Sequence, residues 1–407
     1  MEPRETLENK YIDLLLFRCI NFNNSQSLFI SYPSFNRDFV LKLKNRASEA
    51  FGIKDIYLFE ENFLLKHEIL KRIPLDEIPT HPAFNYAIWD EYAAKSASFI
   101  RFDTYVPYLM DDIPFKKLSI ARVWEHETRP FFTKNRFNLA VCIASLPNQY
   151  WADFLFPGDE NSYEKLSTLI FQMCMVDTEN PIQSWDDFLA LSKKRLAELN
   201  ELGITKLHLQ NNVGTDLTIE IPNQMLWHNA ATLCPSVIAN MPSFEIFTTP
   251  HRQKTNGIVY SSKPLIINSS AVIDNFSLEF KDGEVRSCRA EIGEEILRDI
   301  LRSDNYSGAL GEVALVDYSS PVSQTEIVFG ETLFDENASC HLALGSGFVD
   351  CLKMPNRSQL TKKELLALGV NVSKIHTDFM FGTPDLEITA DSKKGPVLIF
   401  KNGNFNL

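Results

Sequence analysis

The first half of the chain alternates stretches with helical spacing of apolar residues and short, strand-like apolar runs. Helical spacing covers residues 7–22 and 37–51, and the runs at 27–32 and 54–59 predict strands. Strands that alternate with helices in this way are typical of a parallel sheet covered by helices. The same spacing predicts further strands at residues 98–102 and 137–144, and further helices at 84–95, 114–134, 163–175 and 185–202.

After Gly203 the pattern changes to short alternating runs that are separated by turn residues. The clearest of them is residues 276–288, where Asp282-Gly283 supplies the turn of a predicted hairpin. We therefore expect an α/β domain with a mainly parallel sheet over residues 1–203 and a β-rich α+β domain over residues 204–407. The other predicted strands of the second domain are 216–221, 257–261, 312–316, 325–329 and 397–401.

Composition favours a well-packed protein of two domains. The chain has 407 residues, of which 44% are hydrophobic, and a chain of this length usually divides into more than one core. A net charge of −13 argues against nucleic acids and anionic membranes as partners, because both attract basic surfaces.

Cysteine usage favours a reducing compartment. The seven cysteines are scattered and contain no Cys-x-x-Cys pair, which argues against a disulfide framework and predicts buried thiols. The first ten residues lack the pattern of a signal peptide, and no apolar run has the length of a membrane span. We therefore expect a cytoplasmic protein.

Acids and histidines recur in the last 170 or so residues, within short apolar or small-residue stretches. An ionised carboxylate in such surroundings needs a partner charge or a metal ion. His376 and Asp378 are two residues apart in a predicted strand, so both side chains point to one face. Mixed carboxylate and imidazole ligands suit Zn, Co or Mn, whereas structural zinc sites favour cysteine. The candidate ligands are Glu245, Glu312, Glu336, His341, His376 and Asp378.

Each candidate also has a structural interpretation. A single histidine in an apolar strand is more often a hydrogen-bonded core residue than a ligand, and a single strand glutamate usually faces solvent. Metal-ligand spacings also have a real false-positive rate. The set as a whole, rather than any one residue, therefore favours a metal site.

Four sequence blocks resemble those of the bacterial dinuclear metallo-aminopeptidases, the thermophilic metalloprotease family typified by aminopeptidase T and aminopeptidase S. The blocks are Asn-Met-Pro-Ser-Phe-Glu-Ile-Phe-Thr-Thr-Pro at 240–250, Gly-Glu-Val-Ala-Leu-Val at 311–316, Thr-Leu-Phe-Asp-Glu-Asn-Ala-Ser-Cys-His-Leu-Ala-Leu-Gly at 332–345 and His-Thr-Asp-Phe-Met-Phe-Gly at 376–382. The resemblance implies a metal-dependent aminopeptidase that acts on short peptides, with two divalent ions (Zn, Co or Mn) in each chain of a homodimer.

Matched position by position, the resemblance implies that all six candidates hold the two ions. It implies that Glu312 bridges them, and Glu312 is also the first candidate for the general base, with Glu336 or another acid as the alternative. The family often has two consecutive glutamates at the first block, but here Phe244 precedes Glu245. Only Glu245 can therefore be the ligand at that position.

One position departs from the family. A tyrosine seven residues after the ligand histidine has been proposed to assist catalysis there, and this chain has Phe348. Either activity is lowered, or Tyr318 or the second metal ion polarises the carbonyl instead.

The alternatives to an aminopeptidase are a dinuclear hydrolase of another amide or ester and a catalytically impaired relative. His228 and His251 lie near the four sequence blocks, and the sequence is compatible with a place in the substrate cleft or with a structural role for each.

Overall fold

The computed structural model describes residues 2–22, 27–232, 237–267 and 271–407. Cys234, one of the predicted buried thiols, lies outside the described residues. The helices are α1 (Arg4–Asp13), α2 (Arg37–Phe51), α3 (Phe63–Arg72), α4 (Ala87–Ala94), α5 (Phe115–Glu127), α6 (Pro130–Asn135), α7 (Gln149–Leu155), α8 (Ser162–Met173), α9 (Pro181–Leu202), α10 (Glu294–Leu301), α11 (Thr332–Asp335) and α12 (Lys362–Ala367).

The strands are β1 (Ser27–Pro33), β2 (Asp55–Glu61), β3 (Ser98–Asp103), β4 (Val141–Ser145), β5 (Lys206–Gln210), β6 (Asp216–Glu220), β7 (Asn240–Met241), β8 (Ile246–Thr248), β9 (Thr255–Tyr260), β10 (Leu265–Ile267), β11 (Ala271–Lys281), β12 (Glu284–Ile292), β13 (Leu310–Leu315), β14 (His341–Gly345), β15 (His376–Met380), β16 (Glu387–Ser392), β17 (Gly395–Lys401) and β18 (Asn404–Phe405).

The chain divides into two compact units. The first is formed by residues 1–185, 233–242 and 268–270, and the second by residues 186–232, 243–267 and 271–407. The division falls within α9 rather than at residue 203, and the chain returns to the first unit for β7. No helix in the described part of the chain combines the length and the apolar character that a membrane span needs.

The first unit is built on a parallel sheet with the strand order β2-β1-β3-β4-β7. Helix α2 shows how local sequence builds it: Phe39, Val40, Leu43 and Ala47 recur at helical spacing and are buried. The helix ends at Gly52, whose φ of 65° is a left-handed conformation that glycine adopts without strain. An aromatic core on one side of the sheet contains Phe29, Tyr86, Trp89, Tyr92, Phe99 and Phe132.

The second unit contains two antiparallel sheets. The larger has nine strands, in the order β10-β11-β9-β6-β5-β16-β17-β18 with β12 paired to β11. The hairpin of β11 and β12 turns at Asp282 and Gly283, which both have positive φ, as the Asp-Gly signal predicts. The smaller sheet has the order β15-β14-β13-β8, and its strands carry most of the candidate ligands.

The predicted fold class is confirmed: the N-terminal region is α/β with a parallel sheet, and the C-terminal part contains antiparallel sheets. Two element predictions are wrong. Residues 325–329 are not a strand, because Ser323–Thr325 form a 3-10 turn and Glu326 has a φ of 57°. The helix predicted at 114–134 is two helices, α5 and α6, since the chain bends at Thr128 and Arg129 before Pro130.

Candidate metal centre

The candidate ligands converge because of the register of the four-stranded sheet. Glu312 on β13 and Asp378 on β15 both pair with Ala343 on β14, so the three residues form one row across the sheet. His376 pairs with Gly345, and His341 lies two residues before Ala343. Side chains two residues apart on a strand share a face, and cross-strand partners do too. Glu312, His341, His376 and Asp378 therefore lie on the same face.

The first group of ligand atoms belongs to Glu245, Glu312 and His341, and these atoms all lie within 4.8 Å of one another. Glu245 directly precedes β8, which pairs with β13 beside Glu312. The Nε2 atom of His341 lies 3.3 Å from Oε2 of Glu245. All three residues are buried. This group offers two carboxylates and one imidazole to an ion.

The second group consists of Glu312, His376 and Asp378, whose ligand atoms meet the same 4.8 Å limit. Nε2 of His376 lies 3.1 Å from Oε2 of Glu312 and 3.2 Å from Oδ1 of Asp378. Glu312 is thus common to both groups. The two groups of ligand atoms therefore adjoin each other at this carboxylate.

Backbone carbonyls orient both imidazoles. Nδ1 of His376 lies 2.8 Å from the Ser346 carbonyl oxygen, and Nδ1 of His341 lies 3.2 Å from that of Ser339. A carbonyl oxygen can only accept, so Nδ1–H donates in each ring and Nε2 faces the carboxylates. Metal-binding histidines are commonly held in this way by the nitrogen that does not bind the ion.

The ionisable groups of the centre perturb one another strongly. Burial, together with the nearby Asp378 and Glu245, raises the pKa of Glu312 to about 7. Burial disfavours a charged imidazole, but the hydrogen bond and charge of Glu245 outweigh it and raise the pKa of His341 to about 10. For the same reason the carboxylate of Asp378 raises the pKa of His376 well above its usual value. Without a metal ion, cationic imidazoles compensate the clustered carboxylates.

One buried atom indicates that this compensation is incomplete. Oδ1 of Asp378 has no hydrogen bond of acceptable geometry among the described residues, although His376 Nε2 lies 3.2 Å away. The contact is between opposite charges and does not qualify as a hydrogen bond, so the oxygen is electrostatically paired but not saturated. Buried polar atoms are rarely left this way. A donor set of carboxylates and imidazoles with an unsaturated oxygen fits a divalent cation.

Glu336 lies close to the centre but belongs to neither of the two groups. It sits in the 3-10 turn Glu336–Ala338, and burial together with the charges of Glu245 and Asp378 raises its pKa well above the usual value. His341, five residues after Glu336 in the sequence, contacts Glu245. Ligation by Glu336 therefore stays a prediction.

Phe348 lies at the centre, as the resemblance implies. Its ring is 5.1 Å from the His376 ring and 5.0 Å from the Phe247 ring. Tyr318, the alternative donor, lines a separate small cavity with Ser339 and Cys340. The Cys340 thiol contacts the backbone of Val316, and burial raises its pKa to about 12, so it packs and does not act as a nucleophile.

Sequence reasoning missed the small residues opposite the ligands. Ala343 separates Glu312 from Asp378, Ala314 pairs with His341, and Gly345 pairs with His376. The available signal was the alternation of small and large residues in the run His-Leu-Ala-Leu-Gly at 341–345. Small side chains on the ligand-bearing face leave room between the carboxylates.

Comparisons with known proteins agree with this chemistry. The family described as thermophilic metalloprotease (M29) matches residues 4–405. Aminopeptidase AmpS of Bacillus subtilis (strain 168) is 34% identical over 412 residues, which cover 98% of each chain. Aminopeptidase T of Thermus aquaticus is 30% identical over 390 residues, which cover 93% of each chain.

A solved structure extends the agreement to the fold. Wild-type AmpT from Thermus thermophilus superposes with a TM-score of 0.88 at 25% identity, covering 99% of this chain and 100% of that one. The family resemblance read from the four sequence blocks, and with it the prediction of a metal-dependent aminopeptidase, is confirmed by these matches. The chain belongs to the thermophilic metalloprotease (M29) family.

Proposed function

We propose that the protein removes N-terminal residues from short peptides with the help of two divalent metal ions. The observation that carries the proposal is the position of Glu312, whose carboxylate is shared by both groups of ligand atoms. One group would then hold each ion, with Glu312 common to both. The six residues that would hold the pair are Glu245, Glu312, Glu336, His341, His376 and Asp378.

The chemistry that a metal pair supplies in such a site is a water of lowered pKa, a polarised scissile carbonyl and a ligand position for a free amine. Its ligands here favour Zn, Co or Mn. A ligand position for a free amine would restrict cleavage to the N-terminal residue of a peptide. This is the activity that the names of the relatives state, and we propose it for this chain.

The chain's own residues fix the geometry of the reaction. His341 and His376 are held by backbone carbonyls, so their Nε2 atoms stay directed into the site. Glu312 is the proposed general base that takes the proton of the attacking water, and Glu336 is the alternative because it lies beside the same carboxylates. The ring of Phe348 packs edge-to-face against the imidazole of His376 and is itself in contact with the ring of Phe247.

Two further properties belong to the proposal. The resemblance implies a homodimer, which light scattering coupled to size-exclusion chromatography would test. A cytoplasmic location is supported by the six described cysteines, which are all buried and free, as is typical of proteins kept in a reducing compartment.

The test measures metal content and activity together. Chelator-stripped protein is reloaded with Zn, Co or Mn, and bound metal is counted by elemental mass spectrometry. We expect about two ions per wild-type chain, about one in Asp378→Asn and in Glu245→Gln, and close to none in Glu312→Gln. A matched control is Asp216→Asn, because Asp216 also contacts a histidine, His208, at 2.7 Å but on the surface.

Activity is read on amino-acid p-nitroanilides and dipeptides, with and without a blocked α-amine. Metal-restored cleavage of free-amine substrates alone supports the aminopeptidase. Equal cleavage of blocked amides or esters would favour a hydrolase of another class. Two bound ions with no cleavage of any substrate would identify a catalytically impaired relative.

A further inference from the structure

A cavity of about 310 Å³ lies in the second unit. Its lining includes the apolar side chains of Leu226, Leu352 and Met354. A volume of this size accommodates one or two amino-acid side chains. Neither the metal ligands nor the proposed catalytic base line it.

Two connections place the cavity next to the candidate ligands. His228, in the cavity wall, exchanges two backbone hydrogen bonds of 2.9 Å with Phe247, whose ring contacts Phe348. Asp350, also in the wall, follows Phe348 by two residues, and two residues of chain span at most about 7 Å. The ring of Phe348 in turn contacts the imidazole of His376.

The charged side chains that line the cavity include one positive charge without a negative partner. Arg357 and Asp350 form an ion pair, with Nε 3.3 Å from Oδ1. Lys353 is exposed, and its ammonium group has no ion pair or hydrogen bond with any described residue. One positive charge therefore remains at the rim, in a chain whose net charge is −13.

His228 adds a free hydrogen-bond acceptor. Its Nδ1 atom lies 3.2 Å from the Thr232 hydroxyl, which itself donates to the Asn229 carbonyl at 3.0 Å. The hydroxyl proton is thus committed, so Nδ1–H of His228 donates to the hydroxyl oxygen and Nε2 keeps its lone pair. Nε2 is buried and has no partner among the described residues. It can accept a hydrogen bond from a peptide N–H.

We propose that this cavity binds the carboxyl-terminal residue of a short peptide substrate. The apolar side chain of that residue occupies the cavity, and its free carboxylate lies at Lys353 and Arg357. An extended dipeptide spans about 7 Å and a tripeptide about 10 Å, which is the length scale of the two steps from His376 to Phe348, 5.1 Å between ring centroids, and from Phe348 to Asp350, at most about 7 Å. The inference rests on the proposed function, since it requires the α-amine to be held at the metal centre.

The experiment compares two substrates that both have a free α-amine, leucyl-leucine and leucyl-leucinamide, with the zinc-loaded enzyme. The amide lacks the terminal negative charge. We expect wild type to have the higher kcat/KM on leucyl-leucine. Lys353→Ala should lower the ratio of the two kcat/KM values about fivefold, mainly through KM, because an exposed ion pair contributes up to about that factor. Lys353→Glu should reverse the preference, and Lys353→Arg should retain it.

Lys401→Ala is the matched control, because Lys401 is an exposed lysine on β17 of the same unit and does not line the cavity. It should leave the ratio unchanged, and circular dichroism should show every variant folded. A ratio that stays within twofold of wild type in both Lys353→Ala and Lys353→Glu overturns the inference while the aminopeptidase stands. Failure of wild type to cleave either substrate overturns the proposed function and this inference with it.

Discussion

The ring of Phe348 lies against the imidazole of His376 in an edge-to-face arrangement, with 5.1 Å between the ring centroids. A hydroxyl on this ring would extend from a residue already in contact with a candidate ligand. Phe348 also contacts Phe247, so the ring is held between an apolar neighbour and the metal centre. The position at which the family tyrosine is expected is therefore part of the site, although the phenol is absent.

Replacing Phe348 with tyrosine should raise kcat. Removing a single oxyanion donor typically costs about 2.7–4 kcal/mol in the transition state. We expect Phe348→Tyr to recover part of this, about a tenfold increase in kcat with KM changed less than twofold. Steady-state kinetics on leucine p-nitroanilide with equal metal loading would measure it. An unchanged kcat would mean that the ring only packs and that another group polarises the carbonyl.

Gly345→Ala should disturb both the fold and the centre. Gly345 pairs with His376, has a φ of 106°, and an added Cβ would lie 2.2 Å from the carbonyl oxygen of Ile375. Backbone strain alone costs about 1–3 kcal/mol, and the clash adds a similar amount. We expect unfolding in urea at clearly lower concentration and a loss of bound metal through displacement of His376.

Gly395→Ala is the control for that variant. Gly395 also has a positive φ, 94°, but an added Cβ there would meet nothing within 4 Å. Its cost should be the backbone strain only, with metal binding intact. Equal destabilisation of the two variants would show that the contact with Ile375 is relieved at little cost.

Ionised Glu61 should stabilise the first unit at neutral pH, and this contribution to the free energy of unfolding should be lost in acid. Burial opposes its ionisation, but Lys66, whose Nζ lies 3.0 Å from Oε2, and the Tyr86 hydroxyl at 2.8 Å outweigh this and lower the pKa to about 2. A carboxyl group with a depressed pKa in the folded state stabilises it above the unfolded value of 4.5. That contribution, about 3 kcal/mol, is lost as the pH falls from 4.5 through about 2.

The measurement compares wild type with Glu61→Gln in urea unfolding between pH 7 and pH 3. The glutamine variant should be less stable at pH 7, and the gap in the free energy of unfolding should narrow below pH 4.5. A gap that stays constant over this range would show that the charge of Glu61 does not contribute. Glu60→Gln is a neighbouring control, since Glu60 pairs with the exposed Arg37.

The elements that sequence predicts well are those with strong local signals. Helix α2 has the predicted bounds because its buried residues keep helical spacing and Gly52 ends it. The strand predicted at 325–329 fails because a side chain close in sequence takes the place of a strand partner: the Phe329 N–H donates to the Asp335 carboxylate at 2.8 Å rather than to a neighbouring strand. The alternation of apolar and polar residues does not encode that a carboxylate six residues later will accept this hydrogen bond.

Prediction of the candidate metal centre from sequence is also limited to what local pattern encodes. Sequence predicts that His376 and Asp378 share a face, because the strand period is local, and the structure places both in one group of ligand atoms. It did not predict that His341 would contact Glu245, nearly 100 residues earlier in the chain, since that depends on the pairing of β8 with β13. The division of the chain into units is non-local for the same reason, because β7 returns to the first sheet.

A substitution at Ala343 tests whether a metal ion binds in the space between Glu312 and Asp378. It pairs with both residues, and its methyl group is the smallest side chain that a strand offers apart from glycine. Valine is a good strand residue, so Ala343→Val should keep the sheet intact while placing two methyl groups between the carboxylates. We expect the variant to bind fewer than two ions per chain and to lose at least about tenfold in kcat.

Leu342→Val is the matched control, because Leu342 is equally buried in β14 but points to the opposite face of the sheet. It removes one methylene from the core, which should cost about 1 kcal/mol in the free energy of unfolding and leave metal content at two. Elemental analysis of both variants after reloading with zinc separates the outcomes. Full metal content in Ala343→Val would mean that the ions lie away from this row, and the shared position of Glu312 would then not be a bridge.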